Sequence, residues 1–264
     1  MSFPDGSPEA VARALVAYGR ELAETGAVQV GGAFTTDPAA DAFIKSAPEA
    51  FLMGVLFTQG IPAERAWSGP YLLSLRLGHF DLERMVRSPE EVARAFETAP
   101  ALHRFVRTLP GWVCSAASRL LDEYDGRAAS IWPPGAHVID VTERLLKFRG
   151  IGEKKAAMAV EILARSFGVP LAGLECGTVA YDVHVRRVFL RAGLVEHDTA
   201  MDVHRAAEAA CPEAPGSLDL ATWLIGREWC RPRVPDCERC RLGTVCPRYV
   251  DRTVVGVGAR SARP

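Results

Sequence analysis

Four cysteines, Cys230, Cys237, Cys240 and Cys246, are spaced C-x6-C-x2-C-x5-C within a stretch rich in Arg and Pro. Met1 to Glu21 mixes Asp5, Glu9, Arg13 and Arg20 with small residues, so no export signal and no oxidising compartment are expected. In a reducing compartment, thiols this close are metal ligands rather than a disulfide framework. All-cysteine zinc sites favour two paired C-x2-C knuckles. Here one pair is flanked by two longer arms that can reach separate corners of a cubane, which points to a [4Fe-4S] cluster. Cys114, Cys176 and Cys211 lie outside the pattern and read as ordinary small or buried residues.

The second constellation is Leu145-Leu146-Lys147-Phe148-Arg149-Gly150-Ile151-Gly152-Glu153-Lys154-Lys155-Ala156, where one amphipathic helix ends and another begins across a glycine-flanked turn. Gly150 and Gly152 can bring backbone N–H groups and the positive end of the next helix against a phosphate, with Ile151 anchoring the turn inward. Such a grip on DNA backbone reads no sequence. Lysine is scarce in this chain: Lys45, Lys147, Lys154 and Lys155 are the only four, and three lie in this hairpin. An amine can attack a sugar C1′ and form a Schiff base, which a permanently protonated guanidinium cannot. Lys154 is the candidate nucleophile, because a helix start with Lys155 and Arg149 nearby disfavours a charge there. The bland alternative is a surface lysine that binds phosphate.

Downstream, Tyr181-Asp182-Val183-His184-Val185-Arg186-Arg187-Val188 places Asp182 at a helix start. Its default role is an N-cap. A carboxylate there could also stabilise a sugar cation as a base departs and assist proton movements in the lysine reaction.

The elements that must position these residues are helices. Ala10, Val11, Leu15, Tyr18 and Leu22 form one apolar stripe, and Phe51, Val55 and Leu56 begin another after Pro48. Helices are expected over 62–77, 89–98, 112–124, 141–148, 153–167, 182–192, 198–210 and 217–230. The class is therefore all-α. The one strand-like alternation, Val28 to Thr35, reads as a loop, and the tail from Val254 as a frayed end. The longest strongly apolar run, Phe51 to Phe57, falls far short of the about 20 residues a membrane span needs.

Hairpin, aspartate and cysteines together resemble the helix-hairpin-helix DNA glycosylases, and the cysteine spacing resembles the endonuclease III branch. The resemblance covers most of the chain. It implies Lys154 as Schiff-base lysine, Asp182 as catalytic aspartate, Gly150 and Gly152 on phosphate, and His184 as the histidine two positions beyond the aspartate. Gly54-Val55-Leu56-Phe57-Thr58-Gln59 is similar to the family helix whose final glutamine enters the gap left by an everted nucleotide. Lys155 and Arg186 would add phosphate contacts.

The same resemblance implies two helical lobes flanking a DNA-binding cleft. One is a six-helix barrel at 40–165 that includes the hairpin; the other is a cluster lobe of 1–39 and 166–264. The expected activity is base-excision repair by glycosylase and abasic-site lyase chemistry on damaged duplex DNA, with oxidised pyrimidines the usual substrates. A cytoplasmic, nucleoid-associated monomer is expected. Three positions depart from the family pattern. The second wedge falls near Gly111, where Trp112 is the substitute; Leu171 to Thr178 is an apparent insertion; and Phe148-Arg149 replaces leucine-proline.

Two rivals remain. A mismatch adenine glycosylase would need a glutamate within Phe51 to Gln59, and there is none. A DNA-damage or DNA-structure binding protein with weak or lost catalysis would keep hairpin and cluster. The net charge of −1 argues slightly against a polyanion partner, but basic residues gather locally at 147–155, 186–191 and 231–241.

Overall fold

The computed structural model describes residues 6–25 and 34–252, and apart from a single isolated bridge between His137 and Ala172 its regular elements there are helical. In chain order they are α1 (Pro8–Glu24), α2 (Pro38–Ser46), α3 (Pro48–Phe57), α4 (Ala63–Leu77), α5 (Leu82–Arg87), α6 (Pro89–Glu97), α7 (Leu109–Tyr124), α8 (Val138–Leu146), α9 (Glu153–Arg165), α10 (Val183–Arg191), α11 (Ala200–Ala210) and α12 (Leu218–Glu228). The all-α expectation holds. The strand-like alternation, but for Phe34 and Thr35, and the frayed tail lie outside the described residues. No helix among the described residues is long and apolar enough to cross a membrane.

The chain divides into two compact units, Gly26–Gly173 and a discontinuous one made of Met1–Thr25 with Leu174–Pro264. The first is organised around α3. Its sequence from Ala50 to Phe57 carries no polar side chain, and every residue in that run is buried. A helix apolar all round has to be a core helix. Phe51 stacks on Trp67 of α4, with ring centroids 5.6 Å apart, and Gly54 lets that indole lie against the α3 backbone.

Two short helices escaped the periodicity reading. At α2, Asp37 caps by accepting from the Ala39 N–H (2.8 Å) and Pro38 opens the helix, a signal carried by two residues rather than a stripe. Buried Asp41 accepts from the Phe34 N–H (2.6 Å) and pairs with Lys45 (2.6 Å), fixing how the chain enters α2. At α5 only six residues follow the Asp81 cap, too few to show a period.

Helices α8 and α9 form the hairpin. The turn is closed by Phe148 N–H to Leu145 O and Ile151 N–H to Phe148 O, both 3.0 Å. Phe148 is buried and stacks on Tyr124, and Ile151 is buried as well. In the discontinuous unit α12 packs on both α1 and α10. The N-terminal helix is thus integrated with residues from the far end of the sequence.

Candidate functional site

Within the Gly26–Gly173 unit, one cavity of about 290 Å³ is lined by Thr58, Gln59, Gly60, Gly150, Gly152, Glu153, Lys154 and Lys155. The end of α3, the hairpin turn and the first turn of α9 therefore meet around a single space. Five of the residues singled out from sequence share it: Gln59, Gly150, Gly152, Lys154 and Lys155. Thr58, Gly60 and Glu153 join them. Glu153 was readable as the first residue of a helix, where an acidic side chain favours the positive end of the dipole.

The two hairpin glycines differ in what demands them. Gly150 has φ +94°, and a Cβ there would lie 2.3 Å from the Trp112 ring. Gly152 is extended (φ −107°, ψ −179°), and a Cβ there would meet nothing within 4 Å. The fold requires glycine at 150. At 152 no neighbour demands it: glycine serves there as an N-cap and leaves room for something approaching from outside. We therefore expect Gly150→Ala to lose about 2–4 kcal/mol of stability through strain and overpacking. Gly152→Ala should lose under about 1 kcal/mol, as a weaker N-cap, yet bind duplex DNA less tightly. Chemical denaturation and a DNA titration on both variants check this; equal stabilities would contradict it.

Trp112 lies inside the first turn of α7 rather than on a loop before it. Its indole covers Gly150, and the Lys155 Nζ sits 5.7 Å from the ring centroid. Lys154 is exposed at the start of α9, where Gly152 provides no side-chain cap.

Lys155 departs from its expected place on phosphate. It is only 6% exposed, and its Nζ donates to Leu56 O at 2.9 Å. Burial, with Lys154 adding like-charge repulsion, pulls its amine down to about 8. Its place on the inner face of α9, in line with Ala159 and Leu163, was available from helical spacing.

In the discontinuous unit, Asp182 is the N-cap of α10. Its Oδ1 accepts from the N–H groups of His184 (2.8 Å) and Val185 (2.9 Å). The His184 ring meets Trp223 edge to face, and its Nδ1 lies 3.2 Å from the Arg187 guanidinium. Arg186 corrects another expectation. It is buried, its guanidinium is bound to both carboxylate oxygens of Asp198, and it lies 4.5 Å over the Tyr181 ring. A guanidinium so engaged contributes to the fold instead of to a phosphate contact.

All four patterned cysteines line one cavity, together with Val188, Ile225 and Leu242. The loop that carries them is shaped from outside by arginine. Arg187 donates to Cys230 O (2.6 Å), while Arg191 donates to Arg231 O (2.8 Å) and Pro232 O (2.9 Å). Both arginines are buried, and each satisfies carbonyls that no helix or strand engages. The basic cluster at 186–191 was legible, its inward direction was not. Inside the loop, a Cβ on Gly243 would lie 2.6 Å from Cys237 O, so the chain closes tightly around the thiols. Arg231, Arg233 and Arg241 are exposed, and Arg241 pairs with Glu21 (2.8 Å) and lies over Tyr18. Of the other cysteines, Cys211 is buried, Cys114 half-buried and Cys176 exposed.

The helical fold is similar to that of solved DNA glycosylases. It superposes on a trapped endonuclease III–DNA covalent intermediate with TM-score 0.63 at 18% identity, over 91% of this chain and 96% of that one. A thermostable thymine-DNA glycosylase gives TM-score 0.61 at 14% identity, over 90% and 97%. At these identities the likeness is one of fold.

In sequence the chain is similar to endonuclease III over part of its length. Endonuclease III of Thermotoga maritima is 31% identical over 130 residues, 49% of this chain and 56% of that protein. Endonuclease III of Rickettsia conorii is 34% identical over 107 residues, 40% and 46%. The chain thus spans about half the length of the curated relatives it matches. No family model matches it.

Proposed function

We propose that this protein is a DNA glycosylase with abasic-site lyase activity, acting on damaged bases in duplex DNA. The observation that carries the reading is the cavity in which Gln59, the two hairpin glycines and Lys154 converge. In this scheme Gln59 fills the gap left by an everted nucleotide. Gly152, next to the turn that Gly150 makes, admits a phosphate to the start of α9.

The Lys154 amine, on giving up its proton, attacks C1′ as the C1′–N bond breaks, and the electron pair leaves with the base, which takes up a proton. Sugar ring opening gives an iminium, which acidifies C2′–H. Loss of that proton expels the 3′ phosphate, and water then frees the lysine. Asp182 is assigned to stabilising the developing sugar cation and to moving these protons. Oxidised pyrimidines are the proposed substrates.

Cys230, Cys237, Cys240 and Cys246 would hold a [4Fe-4S] cluster. What supports the fit is four thiols around one cavity, in a loop whose carbonyls are engaged by Arg187 and Arg191. When bound, the cluster supplies a structural cross-link for that loop. Arg231 and Arg233, exposed on it, would face DNA phosphate.

Borohydride trapping on an abasic duplex and on a thymine-glycol duplex tests the reading. A covalent adduct is expected with both. Binding without an adduct would favour the rival, a DNA-structure binding protein.

Asp182 offers a separate check, because capping and catalysis make different demands on it. Asparagine keeps the Oδ1 acceptor and should hold stability within a few tenths of a kcal/mol, while alanine should cost about 1 kcal/mol. Both should slow strand cleavage by about 10²-fold or more. If Asp182→Asn cleaves at the wild-type rate, Asp182 is a cap and nothing more.

A further inference from the structure

Gln59 lies just beyond the last turn of α3, and side chains from outside the helix engage that turn's closing carbonyls. Lys155, on α9, donates to Leu56 O at 2.9 Å. His103, fully buried, places Nε2 3.1 Å from Phe57 O. Its Nδ1 accepts the Phe105 N–H at 3.1 Å, which makes Nε2 the protonated nitrogen and the donor. The Thr58 hydroxyl closes on Val55 O (2.7 Å), and Arg104 reaches Gly60 O (3.3 Å), where the chain turns with φ +66°. The end of a helix leaves carbonyls without intrahelical partners, and cations there favour the negative end of the dipole.

Lysine is a costly way to supply one of these bonds. A buried ammonium loses hydration and here stands beside Lys154, a cost that the Trp112 ring, 5.7 Å from Nζ, only partly offsets. Water or a hydroxyl could cap Leu56 O at smaller cost. What the lysine adds is reach: one side chain joins the helix that carries Lys154 to the turn that carries Gln59, across the cavity both of them line.

We propose that Lys155 is a positioning residue that, with His103, clamps the end of α3 and fixes the Gln59 turn at a set spacing from the Lys154 hairpin. This rests on the glycosylase reading for what Gln59 does, but the clamp itself is a property of the free protein. Two measurements on the full-length, metal-loaded protein separate the two claims.

In hydrogen exchange, Lys155→Met should speed exchange of the amides of residues 56–58 at least about tenfold, with the amides of α8 unchanged. Lys154→Met should leave residues 56–58 as in the wild type. Lys155→Gln keeps a donor too short to reach fully and should fall between; it serves the same purpose if Lys155→Met does not fold. Wild-type exchange at residues 56–58 in the Lys155 variants overturns the clamp, whatever the activity.

In DNA binding, the wild type should prefer a duplex carrying a stable abasic analogue over undamaged duplex. Lys155→Met and Gln59→Ala should each reduce that preference by about tenfold, and the double variant should lose no more than Gln59→Ala alone. Additive losses overturn the positioning role, because Lys155 would then act on DNA independently of Gln59. A wild type with no preference, together with faster exchange in Lys155→Met, counts against the function of Gln59 and upholds the clamp.

Discussion

Alanine at position 154 should abolish the borohydride-stable adduct with an abasic duplex and lower strand cleavage by at least about 10³-fold, equivalent to about 4 kcal/mol of transition-state stabilisation. The size of the expected loss follows from how few substitutes exist. The neighbouring amine, Lys155, is buried and engaged with Leu56 O, and no other lysine lines the cavity. Arginine is abundant but cannot form the imine. Lys154→Arg should therefore be as inactive as Lys154→Ala, with an affinity for DNA close to that of the wild type. An undiminished adduct in Lys154→Ala would remove the nucleophile assignment. Mass spectrometry of the reduced adduct locates the modified residue directly.

The second large effect lies in the other unit. Cys237→Ser should purify with less than half the iron and sulfide of the wild type, and should unfold at markedly lower temperature. Cys237 lines the cysteine cavity and its carbonyl faces Gly243, so this residue is both a ligand candidate and part of the tight closure of the loop. Loss of a structural metal site removes several kcal/mol of folding free energy. The loop also carries Arg241, which reaches Glu21 and Tyr18 of α1, so its loosening should be felt in that helix as well. Cys114→Ser, outside the loop, should keep the full iron content. Zinc, rather than iron and sulfide, in anaerobically prepared wild type would overturn the cluster assignment.

How much of this was legible in the sequence depended on whether the cause was local. Long helices announced themselves: the stripe opened by Phe51, Val55 and Leu56 was readable after Pro48, although its burial on every side was not, and the glycines around Ile151 marked a turn between two helices. The cysteine spacing was likewise a local pattern. Helices α2 and α5 were missed because short segments depend on caps, Asp37 and Asp81, rather than on a repeating face.

Directions of long polar side chains were harder still. Lys154 and Lys155 are chemically identical neighbours, yet 100° of helical rotation puts one at the surface and the other in the core. Arg186, Arg187 and Arg191 read as a basic patch, and all three turn inward because Asp198 and the loop carbonyls await them. His103 carried no signal at all, since its role depends on Phe57, far back in the sequence.

The partner of the first helix has a bearing on how the chain is built. The apolar stripe of α1 is covered by α12, and the two are separated by most of the sequence, including the whole of the Gly26–Gly173 unit. During synthesis that unit is complete and able to collapse while α1 still displays Val11, Leu15 and Leu22 with no surface to cover them. Such long-range closure is slow compared with local helix packing. The step that completes folding should accordingly be set by the first helix rather than by the hairpin.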